Sequence, residues 1–440
     1  MAAQPAPWRR RFLAPQMGVP RWARDEPGRC LYHSDESGRW ECHAWDPRTG
    51  ERRRLTDRPQ GTGPGELDPA GDWLWWFDDE SGDEFGVWMR QPFGAMPGAA
   101  TPITLPAAYS AGLALASDRA VVGSTTAAGT AVHVVGHPLD HRLIYSHPEQ
   151  ADLGTLSRDE RLLSIAHSEH GDSLHRALRV IDLDGERIAD LWDGADRNLT
   201  PGPWSPVPGD QRMIVGHDRH DLERPGIWSP TTGEFRDLEL PSLGGNVTAR
   251  WFPDAASLLL VHRHRGRGEL LRFHLEAGRL ERLPAEPGTI RGAAVRPDGA
   301  VWMSWSTAAR PPQIRSGGEP LIEPSGAPAP AGVPYQDLRV GSVHGFLAEP
   351  PGPRPHPAIF LIHGGPTSQD EDAFSPKAQA WVDHGYAVVH VDYRGSSGYG
   401  SAWRDALIGN PGFTELADIH AVRDRLVADG VADPDRLVLS

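Results

Sequence analysis

Across roughly the first three hundred residues, apolar positions come in short runs separated by Pro, Asp and Gly. Trp73-Leu74-Trp75-Trp76-Phe77 is such a run, and the turn Asp68-Pro69-Ala70-Gly71-Asp72 feeds it. Turn chemistry followed by a short apolar strand predicts a β-meander. The same marker recurs at Ser157–Leu162, Trp251–Asp254 and Arg296–Val301. A second recurring unit, strand then turn then strand, reads Trp45–Gly50, Val180–Gly185, Trp228–Gly233 and Phe273–Gly278. Weaker copies stand at Val87-Trp88, Val132–Val135 and Pro312–Gly317. The spacing, roughly 41 to 48 residues, falls in the range of propeller blades. About seven units fit between residues 20 and 322, which predicts an all-β seven-bladed propeller, with six or eight blades left open. A pair of β-sandwiches is the weaker alternative, because sandwiches do not repeat at this period.

Ser325–Pro334 is rich in Pro, Ala and Gly and predicts a linker. After it the pattern changes. Leu338–Leu347 reads as one or two edge strands. Ala358–Ile362, an unbroken apolar run bounded by Pro and Gly, reads as a strand buried on both faces. Lys377–His384 carries Ala378, Trp381 and Val382 at helical spacing, with Gly385 as its stop. Tyr386–Val391 is a second buried strand that runs into the glycine-rich loop Asp392–Gly400. A helix over Thr414–Asp429 follows from the stripe Leu416, Ile419, Val422 and Leu426, ended by Gly430. Asp433–Asp435 then turns the chain into a third strand, Arg436–Ser440. Strands alternating with helices over short connections predict a doubly wound, mostly parallel sheet.

Composition narrows the function classes. A formal net charge of -15 argues against a nucleic-acid binder and against an acidic membrane surface as partner. It suits cationic groups such as peptide N-termini, although solubility explains it equally well. Cys30 and Cys42 are the only cysteines, too few for a disulfide scaffold or a structural zinc site. Arg9, Arg10 and Arg11 are not followed by an apolar segment, and no run approaches the roughly 20 residues of a membrane span. The expectation is a soluble, cytoplasmic protein. His217 with His220, and His262 with His264, are the histidine pairs nearest to a metal pattern, but no carboxylate or cysteine cluster completes either set. No metal and no organic cofactor is expected. The acidic stretch Asp78–Glu80 with Asp83 and Glu84 reads as a solvated hairpin tip before it reads as an amine site.

The last ninety or so residues carry the specific motifs. They are His363-Gly364-Gly365-Pro366 at the end of the first buried strand, DYRGSSGYG at 392–400, the helix bearing Asp418, and DPDRLVLS at 433–440. Together these resemble the prolyl oligopeptidase family of serine peptidases, in its acylaminoacyl-peptidase and dipeptidyl-peptidase-like branch. The resemblance implies a propeller joined to an α/β-hydrolase domain. Domain bounds follow as an N-terminal extension 1–19, a propeller 20–322, a linker 323–335 and the N-terminal part of the hydrolase domain 336–440. It also implies cleavage of short peptides through an acyl-enzyme by a Ser-Asp-His triad, with the propeller gating access.

The implied nucleophile stands on a G-x-S-x-G elbow after the strand that Arg436–Leu439 resembles. No such pentapeptide occurs in the 440 residues, and Ser440 lacks the flanking glycines. Serine, Asp and His are therefore expected beyond Ser440, and the 440-residue chain by itself is expected to be inactive, a trimmed longer enzyme. By the same resemblance His363, Gly364 and Gly365 form the oxyanion-hole loop. Pro366 has no N–H, so the donor falls to Gly364, Gly365 or Thr367, with Gly365 favoured. His363 is expected to orient the loop, Arg394 and Tyr399 are candidates to line the substrate cleft, and Asp418 is expected to hold neighbouring backbone. Short peptides are the expected partners, and homo-oligomerisation is left open. A carboxylesterase, or a non-catalytic propeller used as a binding platform, are the alternatives.

Overall fold

The computed structural model describes residues 5–79, 81–136, 140–240, 242–365 and 367–440. Glu80 and Pro366, parts of two segments singled out above, lie outside the described residues. From Arg21 to Ile322 the chain forms antiparallel meanders. The interior strands of these meanders read as unbroken apolar runs because alternate side chains are buried against different neighbours. Along the strand Ser257–His264, Leu258 and Leu260 pack with Ile214 and Ile227 of the preceding meander, while Leu259 and Val261 pack with Ile290, Met303 and Trp305 of the following one. The same division holds at Val121, which packs toward Leu163 and Ile165, and at Ala120 and Val122, which pack toward Trp75. The last cluster joins Trp302, Ile314 and Ile322 to Cys30, Tyr32 and Trp45, so packing closes the meanders into a ring. This ring is a β-propeller.

The sheets separate less cleanly than the repeat predicts. Among the described residues, five four-stranded sheets stand alone, at 21–54, 151–191, 199–237, 246–282 and 289–322, where seven were expected. The remaining strands, between residues 66 and 147, form one eight-stranded sheet. The cause is local. The strand Phe85–Pro92 begins early enough for Phe85 to pair with Tyr109 and Gly86 with Ala108, and the two rings meet edge to face at 5.4 Å.

The C-terminal region is a five-stranded mixed sheet in the order Gln336–Val340, Val343–Ala348, Ala387–Asp392, His356–Leu361, Ala432–Leu439. The first three strands pair antiparallel, and His356–Leu361 is parallel to both of its neighbours. Helices cover both faces. Ala358 and Phe360 face Ile419, Val422 and Leu426 of the helix Thr414–Ala428, whereas Ile359 and Leu361 face Ala378 and Val382 of the helix Pro376–Asp383. Ser375 caps the latter helix by accepting the Ala378 N–H. The final strand starts at Ala432 rather than after Asp435, with an irregular register near its start, and Asp433 accepts the Asp435 N–H inside it. A short helix at Ser401–Arg404 was not predicted.

A helix at Pro7–Leu13 packs on the sheet domain. Arg11, buried, ion-pairs with Asp383 and donates to the carbonyls of Pro330 and Ala331. Among the described residues, no helix is long and apolar enough to cross a membrane.

Candidate active site

Parallel strands end in loops at their carboxyl edge, where open α/β sheets hold ligands. The strand His356–Leu361 delivers His363, Gly364 and Gly365 to that edge. Gly364 and Gly365 are exposed, and Gly365 has φ 129°, a backbone that an L side chain rarely adopts. Among the described residues, neither glycine N–H has an acceptor. Two unspent donors at a strand end can bind an anionic oxygen.

The approach to this segment is fixed from one side. The His363 Nε2 lies 2.8 Å from the hydroxyl of Ser396, which is fully buried. The His363 ring stacks on Tyr393 at 4.6 Å and 17°, and the Tyr393 hydroxyl donates to the His363 carbonyl at 2.8 Å. His363 thus holds its loop against the loop that leaves Ala387–Asp392. Ser440 occupies the neighbouring ladder, its N–H donating to the Phe360 carbonyl and its own carbonyl accepting the Ile362 N–H, both at 2.9 Å. Its hydroxyl accepts from Lys377 at 3.3 Å. The end of the last strand is therefore next to the glycine segment.

Beneath this edge lies a polar chain that sequence reasoning missed. Asp392 is a fully buried carboxylate. It accepts the Asp370 N–H at 2.7 Å and the Tyr399 hydroxyl at 2.6 Å. The Tyr399 oxygen also meets His344 Nδ1 at 2.7 Å, and His344 Nε2 lies 3.1 Å from Asp337. Arg267, from the propeller, donates to Asp337 at 2.9 Å and to Asp372 at 3.0 Å. Burial first, then the Asp392 charge, pushes the Tyr399 hydroxyl far above its ordinary range, so it stays a proton donor. Asp392 opens the DYRGSSGYG motif, and a lone Asp closing a buried strand was the available signal.

The two residues considered for a substrate cleft are placed as follows. Tyr399 is half-buried, with its hydroxyl engaged by Asp392 and His344. Arg394 is held by Asp418, which accepts from its backbone N–H at 2.8 Å and from its guanidinium at 2.8 to 3.2 Å. The hydrogen bond to Asp418 holds the guanidinium above the usual arginine range.

The loop after the glycine segment rests on the propeller. Arg291 pairs with Glu371 at 3.1 Å, Thr289 donates to the Asp372 carbonyl at 2.9 Å, and the Phe374 N–H donates to Ser306 at 3.0 Å. A second grip lies at Ser401–Arg404, where Asp221 accepts the Ala402 N–H at 3.1 Å and Asp218 pairs with Arg404 at 3.0 Å. A Cβ on Gly400 would come within 2.2 Å of the Asp221 carboxylate, so this approach requires glycine.

Among the described residues, three groups of side chains bring metal-competent atoms within 4.8 Å of one another: His363, Asp370 and Asp392; His167, His170 and Asp190; and Asp172, His175 and Asp196. The protein itself uses many of these atoms. His167 Nε2 faces Asp190, His175 Nδ1 faces Asp172, and Asp392 is filled as described. The pairs noted in the sequence are not among these groups: His262 lies 2.9 Å from Glu269, and His217 and His220 meet edge to face at 6.2 Å. In the acidic hairpin, Asp79 accepts the backbone N–H groups of Asp83 and Glu84 at 3.0 and 2.7 Å.

Comparison with known proteins adds a family. Residues 372–440 match the family described as "Prolyl oligopeptidase family". The chain is 28% identical over 208 residues to dipeptidyl-peptidase 5 of Aspergillus fumigatus, covering 41% of this chain and 29% of that protein. The match thus spans under a third of that relative's length. By structure it is similar to a prolyl endopeptidase, with TM-score 0.80, 14% identity and coverage of 98% of this chain and 69% of the other. It is also similar to Pyrococcus horikoshii acylaminoacyl peptidase, with TM-score 0.70, 14% identity and coverage of 97% and 73%. At such identity these likenesses bear on the fold, a propeller joined to a hydrolase sheet.

Proposed function

We infer from the match of residues 372–440 to the prolyl oligopeptidase family that the activity is that of a serine peptidase, cleaving short peptides through an acyl-enzyme, with the ring gating access. The observation that carries this reading is the exposed Gly364–Gly365 segment. Its N–H groups have no acceptor among the described residues, and it lies beside the end of the strand at Ser440. In this reading Gly365 donates to the oxyanion, His363 orients the loop, the exposed flank of Arg394 lines the cleft, and Tyr399 acts on the cleft through Asp392. None of the 440 residues is assigned the role of nucleophile or of its Asp and His partners.

The eight-stranded sheet is read as two blades sharing one pair of bridges, which makes the propeller seven-bladed over 20–322. Residues 1–19 are an extension whose helix docks on the hydrolase domain, 323–335 the linker and 336–440 the N-terminal part of that domain. Cys30 and Cys42 are both free and buried, which suits a reducing cytoplasm.

The test is fluorophosphonate labelling of the natural gene product, followed by assays on aminoacyl-, acylaminoacyl- and prolyl-peptide substrates and on simple carboxyl esters. Labelling of one serine with peptide turnover is expected. Turnover of esters alone would assign the site to a carboxylesterase, and no labelling at all would defeat the hydrolase reading.

A further inference from the structure

The chain carries fifteen more acidic than basic residues, yet one cavity among its described residues has the opposite character. This cavity, about 760 Å³, lies where the first and last meanders of the ring meet. Arg21, Arg250 and Arg291 line it, and no Asp or Glu is among its described lining residues. The three arginines come from the first strands of three meanders that are neighbours around the ring: Arg21–Trp22, Asn246–Trp251 and Thr289–Val295. In Asn246–Trp251, Val247, Ala249 and Trp251 are buried between meanders, so Arg250 projects from the other face.

The three are not equivalent. Arg21 pairs with Glu66 at 2.8 Å, and Arg291 pairs with Glu371 at 3.1 Å. Arg250 has no carboxylate partner among the described residues, and its guanidinium donates only to the adjacent Ala249 carbonyl, at 2.9 Å. Surrounding protein first, then the like charges of Arg263 and Arg21, depress its pKa below the ordinary arginine range. Solvent still reaches it. An unpaired cation crowded by other cations is a site of positive potential, and an anion relieves it. Trp22 and Trp40 also line the cavity, and its volume suits a short peptide. Through Glu371, Arg291 also ties the cavity to the loop that follows the glycine segment.

We propose that this cavity binds the carboxylate of a short peptide, with Arg250 as the recognising group, so that the ring selects peptides bearing an anionic group. The proposal rests on the peptidase reading for the ligand class, but binding is measurable without turnover. A carboxylate has two sources in a peptide, its C-terminus and an Asp or Glu side chain.

Calorimetry on the 440-residue chain tests this with three N-acetylated probes: tetra-alanine as free acid, tetra-alanine as amide, and Ala-Ala-Glu-Ala as amide. At least one carboxylate probe is expected to bind about tenfold or more tighter than the neutral amide, the scale of a charge-assisted hydrogen bond. Preference for the free acid alone assigns the C-terminus, and preference for the glutamyl amide assigns the side chain. Arg250→Ala abolishes the preference, Arg250→Lys keeps part of it, and Arg282→Gln, on an outer strand, leaves it unchanged. Should Arg250→Ala fail to fold, Arg250→Gln gives the same reading. Equal affinity for charged and neutral probes, a preference that survives in the Arg250 variants, or no binding of any probe would overturn the assignment. Serine labelling without a carboxylate preference overturns the cavity assignment alone, whereas carboxylate binding without labelling overturns the peptidase reading alone.

Discussion

The propeller and the hydrolase sheet use polar groups in different ways. In the ring, polar contacts join strands of one meander, as His262 with Glu269 and His167 with Asp190, or of two adjacent meanders, as the Trp251 indole N–H with the Pro203 carbonyl. At the carboxyl edge of the sheet they form a chain that passes from Arg267 in the ring through Asp337, His344 and Tyr399 to Asp392. The ring is an array of neighbour contacts, whereas the sheet edge is one connected unit. A substitution should therefore act locally in the first and at a distance in the second.

The largest expected effect is in the ring. Trp305 is 1% exposed, donates to the Glu286 carbonyl at 3.0 Å and carries Arg315 over its face at 4.0 Å. Trp305→Ala should cost about 3–5 kcal/mol in denaturant unfolding. Hydrogen exchange should quicken in the last two meanders and leave 387–392 protected. Equal loosening of both domains would break the contrast.

Asp392→Asn comes next. It keeps the shape but weakens the acceptor for the Asp370 N–H and the Tyr399 hydroxyl, at a cost of about 1–3 kcal/mol. Hydrogen exchange should then quicken at Asp370 and also across the interface at Asp372, whose N–H donates to the Gly266 carbonyl. A response confined to the strand itself would show that the chain of contacts transmits nothing.

The smallest effect belongs to the exposed end of that chain. Arg267→Ala removes two ion pairs, to Asp337 and Asp372, from a partly exposed guanidinium, together worth about 1 kcal/mol. Its clearest readout is pH. Burial acts to raise the Asp337 pKa, but hydrogen bonds from Arg267 and His344 and their charges outweigh it and leave the carboxyl below its ordinary range. A carboxyl lowered in the folded state contributes stability in full above its unfolded pKa of about 3.9 and loses it as pH falls through the folded value. The difference in melting temperature between the natural protein and Asp337→Asn should accordingly be present at neutral pH and vanish in strong acid. A difference that persists there would assign Asp337 a packing role.

What the sequence made legible follows the same division. The ring was visible because each strand must fill two neighbours, which writes runs such as Leu258–Val261 at a fixed period. Its partition into sheets was not, because the bridge at Phe85 and Gly86 depends on strand length rather than on apolar pattern. In the sheet domain, Ala358–Ile362 and Tyr386–Val391 announced themselves as buried strands, and the strands His356–Leu361 and Ala387–Asp392 stand there. The Asp392 chain did not, since its members lie up to 132 residues apart, from Arg267 to Tyr399, and no local period connects them. The start of the last strand was missed because Asp433-Pro434-Asp435 carries turn residues that the structure accommodates as an irregular stretch of strand.

The central claim is that the N–H groups of Gly364 and Gly365, without an acceptor among the described residues, face the reacting serine. The direct measurement is a crystal structure of the natural gene product after fluorophosphonate treatment. The phosphonyl oxygen should lie about 2.7–3.1 Å from the Gly365 N–H, with His363 still on the Ser396 hydroxyl. A phosphonylated serine whose oxygen points away from Gly364 and Gly365 would contradict the account.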